Sequence, residues 1–211
     1  FGEPFNFPSI VSQFASVAGR IDIAGVEAGQ FGPVETIVGE DTINSPLGGK
    51  VYKYSEADQG TALHITGKTF RDGTIGTSGA GAVLVYGDLS IDGNITYDNG
   101  GGQIQNLSEL ASLGWIVLDD PLTPEKEGNI FIAPSVTKIA GAFFAEGSVT
   151  TGKSLLPLTV NGLMIAKTFG FERQFASTER GSEQIIYDGR AQANPPPGMK
   201  DLTRALPILQ P

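Results

Sequence analysis

From Val83 to Tyr97 apolar and polar residues alternate with a period of two, and glycines interrupt the run at Gly87 and Gly93. The same grammar returns in Gly128-Asn129-Ile130-Phe131-Ile132, in the run from Val136 to Ala145, and in the run from Leu158 to Ala166. A period of two marks strands with one buried face. One short unit recurs inside these runs: apolar, any residue, Gly, any residue, apolar. It reads Val85-x-Gly87-x-Leu89, Ile91-x-Gly93-x-Ile95, Ile139-x-Gly141-x-Phe143 and Val160-x-Gly162-x-Met164, with an incomplete copy at Ile65-Thr66-Gly67. Without a Cβ the chain can bend at a corner, and the apolar residues on both sides then point inward. Repeated at the interval of one circuit, the unit predicts an all-β fold: a right-handed parallel β-helix (β-solenoid) with short capping helices. Its spacing is too irregular for a hexapeptide left-handed helix. The alternative is a β-sandwich with glycine-rich turns.

Two short segments carry helical signals. In Pro8 to Gly19, Ile10, Phe14 and Val17 share a face, Ser9 stands at the capping position and Gly19 at the stop. In Asn106 to Gly114, Asn106 and Glu109 have capping-box spacing and Gly114 supplies a left-handed terminus. Gln184 to Asp188 reads as a last strand. Asn194-Pro195-Pro196-Pro197-Gly198 then forces an extended exit, and Asp201 to Pro207 reads as a turn of helix. The expected organisation is a Phe-rich segment with a short helix over 1–19, a solenoid over 20–190 and a Pro-rich tail over 191–211. The tail is expected to cap the open end of the coil stack, or to serve as a linker or a hook for a neighbouring subunit.

Composition agrees with a turn-rich β chain. The 211 residues include 29 glycines and 13 prolines, and 40% are hydrophobic. The net charge of -9 disfavours nucleic acid and anionic lipid surfaces as partners. The absence of cysteine excludes a disulfide framework, a thiolate metal site and a cysteine nucleophile. The longest apolar stretch, near Ala80 to Tyr86, is far too short to span a bilayer. No segment reads as a signal peptide, and a chain that begins at Phe1 reads as processed or truncated.

Candidate chemistry is sparse. His64 is the sole histidine and sits in a strand-like run with no nucleophile elbow near it, so a Ser-His-Asp hydrolase and a histidine zinc site are both disfavoured. Asp88 and Asp92, Asp98 beyond them, and the vicinal Asp119 and Asp120 are the carboxylates that a β-helix lyase or hydrolase would use. Several occupy ordinary turn positions, and no Arg/Lys cluster for an acidic polysaccharide lies beside them. The glycine-rich run from Gly76 to Gly81 lacks the Lys-Ser/Thr of a phosphate loop. Thr61, Thr66, Thr69, Thr74 and Thr77 form a threonine-rich stretch too irregular for an ice-binding array. The chain is therefore expected to be non-enzymatic, with no cofactor and no metal.

Phe1, Phe5 and Phe7 lie in the leading segment with Phe14, broken by Pro4 and Pro8. A segment this apolar is expected to cover the N-terminal opening of the coils or to dock on another subunit. Phe143, Phe144, Phe169 and Phe171 are expected to stack in or beside the core. The candidate assembly residues are Phe1, Phe5 and Phe7 at one end and Pro195, Pro196 and Pro197 at the other.

The succession Gly114-Trp115-Ile116-Val117-Leu118-Asp119, Gly128 to Ile132, Ala140 to Gly147 and Val160 to Ala166, followed by Tyr187-Asp188-Gly189-Arg190 and Asn194 to Gly198, resembles the β-solenoid ectodomains of bacterial surface proteins associated with type IV pilus-like systems. More distantly, the glycine-spaced coils are similar to bactofilins. The resemblance covers about residues 83 to 200, implies a cell-surface or extracellular location and assembly into larger structures, and carries no catalytic residues. It lacks the N-terminal hydrophobic helix of a pilin-like protein. The leading expectation is a structural or adhesive bacterial surface module that self-associates, as a homo-oligomer or as a subunit of a homopolymeric filament. The alternatives are a carbohydrate- or surface-binding module and, third, a β-helix polysaccharide lyase or hydrolase.

Overall fold

The computed structural model describes residues 18–98, 104–123, 125, 127–174 and 182–201. Strands make up most of the regular structure: β1 (Val34–Thr36), β2 (Val51–Ser55), β3 (Leu63–Ile65), β4 (Lys68–Arg71), β5 (Ala80–Tyr86), β6 (Leu89–Ile91), β7 (Ile95–Asp98), β8 (Ser112–Leu118), β9 (Ile130–Ile132), β10 (Lys138–Thr151), β11 (Leu158–Gly170) and β12 (Glu183–Ile186). The helices are single turns: α1 (Ile23–Glu27), α2 (Glu56–Gln59) and α3 (Arg190–Ala193).

Ten of the strands form one curled sheet, and β4 pairs with β7 in a second. All pairs between named strands are parallel. A β-sandwich is built from antiparallel sheets, so that alternative does not describe this chain. Pairing links segments that are distant in sequence: β2 to β5, β5 to β8, β8 to β10 and β10 to β11 on one side, β3 to β6, β6 to β9 and β9 to β10 on another.

Three of the glycine units sit between strands, as their spacing predicts. Gly87 turns β5 into β6, Gly93 separates β6 from β7, and Gly67 separates β3 from β4. Gly141 and Gly162 lie inside the long strands β10 and β11 and face each other in register. Both have positive φ, at 140° and 146°. The apolar partners of these units, Val85, Leu89, Ile91, Ile95, Ile139, Phe143 and Val160, all belong to one buried cluster, with Met164 packed against it. Trp115 and its register partner Phe143 stack at 6.1 Å with an interplanar angle of 6°.

Strands β5 and β8 are buried on both faces, which explains their continuous apolar runs. Val83, Val85, Leu113, Trp115 and Val117 enter the inner core. Leu84, Ile116 and Leu118, with Ala142 and Phe144, belong to a second cluster on the opposite face together with Ile21 and Val26 of the α1 region and with Ala191 and Met199 near the C-terminal end. Both ends of the described chain therefore lie over one face of the sheet, and Asp22 N donates to Gly198 O at 3.1 Å.

The end of the core beside β2 is filled by the chain between β1 and β2. Ile37, Ile43 and Leu47 are buried there in the inner cluster. The same segment meets polar groups on β4 and the turn before it. Glu40 Oε2 accepts from Thr66 N at 2.7 Å, Glu40 O accepts from Lys68 Nζ at 2.7 Å, and Ser45 Oγ accepts from Arg71 N at 2.9 Å.

Two sequence expectations are corrected. The segment 106–114 is not a helix: only Leu107–Glu109 forms a 3-10 turn, and Gly114 is a buried residue inside β8. The capping box is only half made: the Glu109 carboxylate reaches back to Asn106, accepting from its Nδ2 at 3.1 Å, and to Gln105 N at 2.8 Å, but the Asn106 side chain makes no capping hydrogen bond. The Pro-rich tail, where described, does not close an end of the core but lies across the outer face of the sheet. The helix expected at 8–19 falls outside the described residues except at its last two positions.

Candidate functional site

The carboxylates of Asp88, Asp92, Asp98 and Asp120 have hydrogen-bond or ion-pair partners. Glu56, at the start of α2, is 5% exposed, and its Oε2 accepts from Asp88 N at 2.8 Å. Asp88 Oδ1 accepts from Asn129 N and Nδ2 at 3.0 and 3.2 Å. Asn129 Oδ1 accepts in turn from Ser148 N and its hydroxyl at 2.9 and 2.7 Å. This is a ladder: at each bend one side-chain oxygen satisfies the amide of the next. Asp120 is buried and accepts from Ala57 N at 3.1 Å and Leu122 N at 2.9 Å. Burial and the nearby Glu146 carboxylate push the Asp119 carboxyl up. Asp98 lies beside Arg71 at 3.7 Å on the exposed second sheet.

His64 on β3 is exposed and meets Asp92 at 2.7 Å through Nδ1. Ser90, its register partner on β6, donates its hydroxyl to the other oxygen of the same carboxylate at 2.8 Å. Burial raises the proton affinity of Asp92, but the hydrogen bonds from His64 and Ser90 outweigh it and hold this carboxyl below its ordinary value. The serine proton is directed to aspartate instead of imidazole, so the serine-to-base link of a hydrolase is not made. The threonines do not form one face. Thr69 pairs with Thr96 at 3.0 Å across β4 and β7, Thr74 bridges Thr77, Thr66 is held by Glu40, and Thr61 lies in the turn before β3. Among the described residues no group of three or more His, Asp and Glu is placed to hold a metal ion, and no helix is long and apolar enough to cross a membrane.

The C-terminal motif residues form a strap. Arg190 reaches Asp72 Oδ1 at 3.2 Å and Asp188 at 3.6 Å, and its guanidinium lies 4.9 Å from the centre of the Tyr97 ring. Asp72 Oδ1 also accepts from Ala111 N at 2.7 Å. Tyr97 accepts from Leu113 N at 2.9 Å, and burial drives its phenol pKa far above the ordinary value. Asn194 Nδ2 donates to Ser108 O and Leu110 O at 2.9 and 2.7 Å. Pro195 is half-buried, whereas Pro196 and Pro197 are buried. A Cβ on Gly114 would come within 2.7 Å of Met199 Sδ and 2.9 Å of Pro196 Cβ, so that glycine leaves the space the strap occupies. A groove of about 410 Å³ between the strap and Phe31, Gly49, Ser78 and Ala80 borders it. Phe1, Phe5 and Phe7 lie outside the described residues.

The last strands show a different surface. Phe169 is the register partner of buried Val149, and Ile185 that of buried Val160, so both continue the rows of the inner core. They are nevertheless 43% and 49% exposed, and Phe171, Ile186 and Tyr187 beside them are about as open. Phe169 and Phe171 do stack, at 5.4 Å, but at the surface and not under cover. Among the described residues β12 pairs with β11 alone. Sequence reasoning missed this end because an inward-facing residue of the last strand has the same pattern as one in the middle.

No family model, no curated protein and no solved structure matches the chain.

Proposed function

We propose that this chain is a right-handed parallel β-helix that serves as a non-enzymatic structural module at a bacterial cell surface. Three stretches of strand per circuit support the solenoid reading: β5, β6 and β7 follow one another along the chain and lie next to β2, β3 and β4 in turn. Right-handedness follows from the strong bias of parallel crossover connections. The observation that carries the non-enzymatic reading is the side-chain ladder. Of the carboxylates a polysaccharide lyase or hydrolase would use, Asp88, Asp92 and Asp120 are engaged by neighbouring amides, a hydroxyl and an imidazole; Asp119 is the exception, its carboxyl pushed up by burial and by Glu146. The surface location rests on the resemblance alone.

Two measurements test this. Immunogold labelling of intact cells that produce the protein is expected to decorate their surface, and label that appears only after lysis would overturn the location. Incubation with acidic polysaccharides is expected to yield no new reducing or unsaturated ends. Turnover that disappears in Asp88→Asn or Asp92→Asn would establish a lyase or hydrolase instead.

A further inference from the structure

We propose that two copies of this chain associate tail to tail through the last circuit, giving a closed dimer; this rests on the solenoid reading above. The two ends of the core differ. At the β2 end Ile37, Ile43 and Leu47 fill the core, and Glu40 and Ser45 occupy polar groups on and next to β4. At the other end the rows of the core run out into Phe169 and Ile185, flanked by Phe171, Ile186 and Tyr187. There β12 offers a free strand edge among the described residues. Such an edge with exposed apolar side chains is a template for another strand.

Among the described residues the chain does not extend its own stack at that end. After β12 it turns away through Arg190 and Asn194 and crosses the outer face of the sheet to reach Asp22. The last described residue, Asp201, therefore follows a strap that ends beside α1 and not over β12. A copy stacked head to tail would have to present its β1 end, where β1 is also paired on one side only but the apolar rows are already closed by Ile37, Ile43 and Leu47. A copy related by a two-fold axis presents the same open edge, and two β12 strands then meet antiparallel in a self-complementary interface. Charge permits it. The chain carries -9 overall, but the described charges open to solvent near β12 are few, Lys167 against Glu172, Glu183 and Asp188, so this end adds little to the repulsion between copies.

The absence of cysteine makes the test clean. Gln184→Cys and Ile186→Cys, each on β12, are oxidised in the otherwise cysteine-free chain. Val38→Cys, 67% exposed next to the filled end, serves as the control. Sedimentation equilibrium from about micromolar to about millimolar protein is expected to rise from 22.1 kDa to twice that mass and to stop there. At least one β12 variant is expected to give a disulfide-linked dimer, and the control none. Circular dichroism of each variant matching the parent shows that it has folded. A strict monomer without cross-links overturns the proposal, as does a Val38→Cys/Ile186→Cys double variant that links into ladders, which is the head-to-tail result. Neither outcome touches the surface-labelling and turnover tests, so the failure of this inference and of the structural-module reading are separable.

Discussion

Gly162 shows how much one missing Cβ decides. Its φ of 146° is open to glycine and strained for other residues, and an added Cβ would run into the carbonyl of Gly141 on the adjacent strand. Gly162→Ala is therefore expected to cost more than about 1 kcal/mol, read as a lowered denaturant midpoint. An unchanged midpoint would mean that the bend lies elsewhere. Trp115→Ala removes a fully buried ring stacked on Phe143 and is expected to cost about 3–5 kcal/mol in the same assay. Glu109 gives a pH signature. Hydrogen bonds from the Gln105 amide and the Asn106 side chain hold its carboxyl below the ordinary value in the folded chain. A lowered folded pKa adds stability above the unfolded value of about 4.3, and the gain fades as pH falls from there through the folded pKa. Glu109→Gln is expected to be less stable at neutral pH and to lose less stability on acidification across that window. A parallel pH profile for parent and variant would show that Glu109 does not couple to folding.

Among the elements, the strap depends most on contacts that are far apart in sequence. Arg190 is largely covered and meets Asp72, Asp188 and the Tyr97 ring. Arg190→Ala is expected to cost about 1.5–3 kcal/mol and to open residues 187–199 to limited proteolysis before the strands unfold. Cleavage that tracks global unfolding instead would mean the strap is no separate unit. Gly114→Val is expected to release the same segment, by filling the space of Met199 and Pro196. The contrast between strap and strands marks what could be read from sequence. Alternation and glycine spacing are local, so the breaks between strands at Gly67, Gly87 and Gly93, the inward rows and a last strand near 184–188 were legible, whereas Gly141 and Gly162 fall inside strands. The same local grammar misled at Asn106 to Gly114: a glycine after an apolar run reads as a helix stop, whereas here it makes room for a segment some 80 residues further along. Which residues fill an end, as Ile37, Ile43 and Leu47 do, depends on where the stack begins, and no short window contains that. The candidate carboxylates were visible as residues, but their use as hydrogen-bond rungs appears only when neighbouring circuits are set side by side.

For the molecule as a whole, a stack of parallel strands filled at one end and open at the other has a gradient of protection. On the solenoid reading proposed above, stability is a sum of nearest-neighbour terms, and the terminal unit has one neighbour fewer. Amide hydrogen exchange is expected to be slowest in β5, β8 and the first half of β10 and faster in β12. Uniform protection in dilute monomer would contradict that picture, and protection of β12 that grows with concentration would match its burial between copies. The meeting of Asp22 with Gly198 has a mechanical consequence. A tether pulling on these two positions loads the Asp22–Gly198 hydrogen bond and the apolar packing of the strap on Ile21 and Val26 before tension reaches the strands. The strap would peel open rung by rung at low force, like a zip, while the strands, out of the load path, keep their register until the slack is spent.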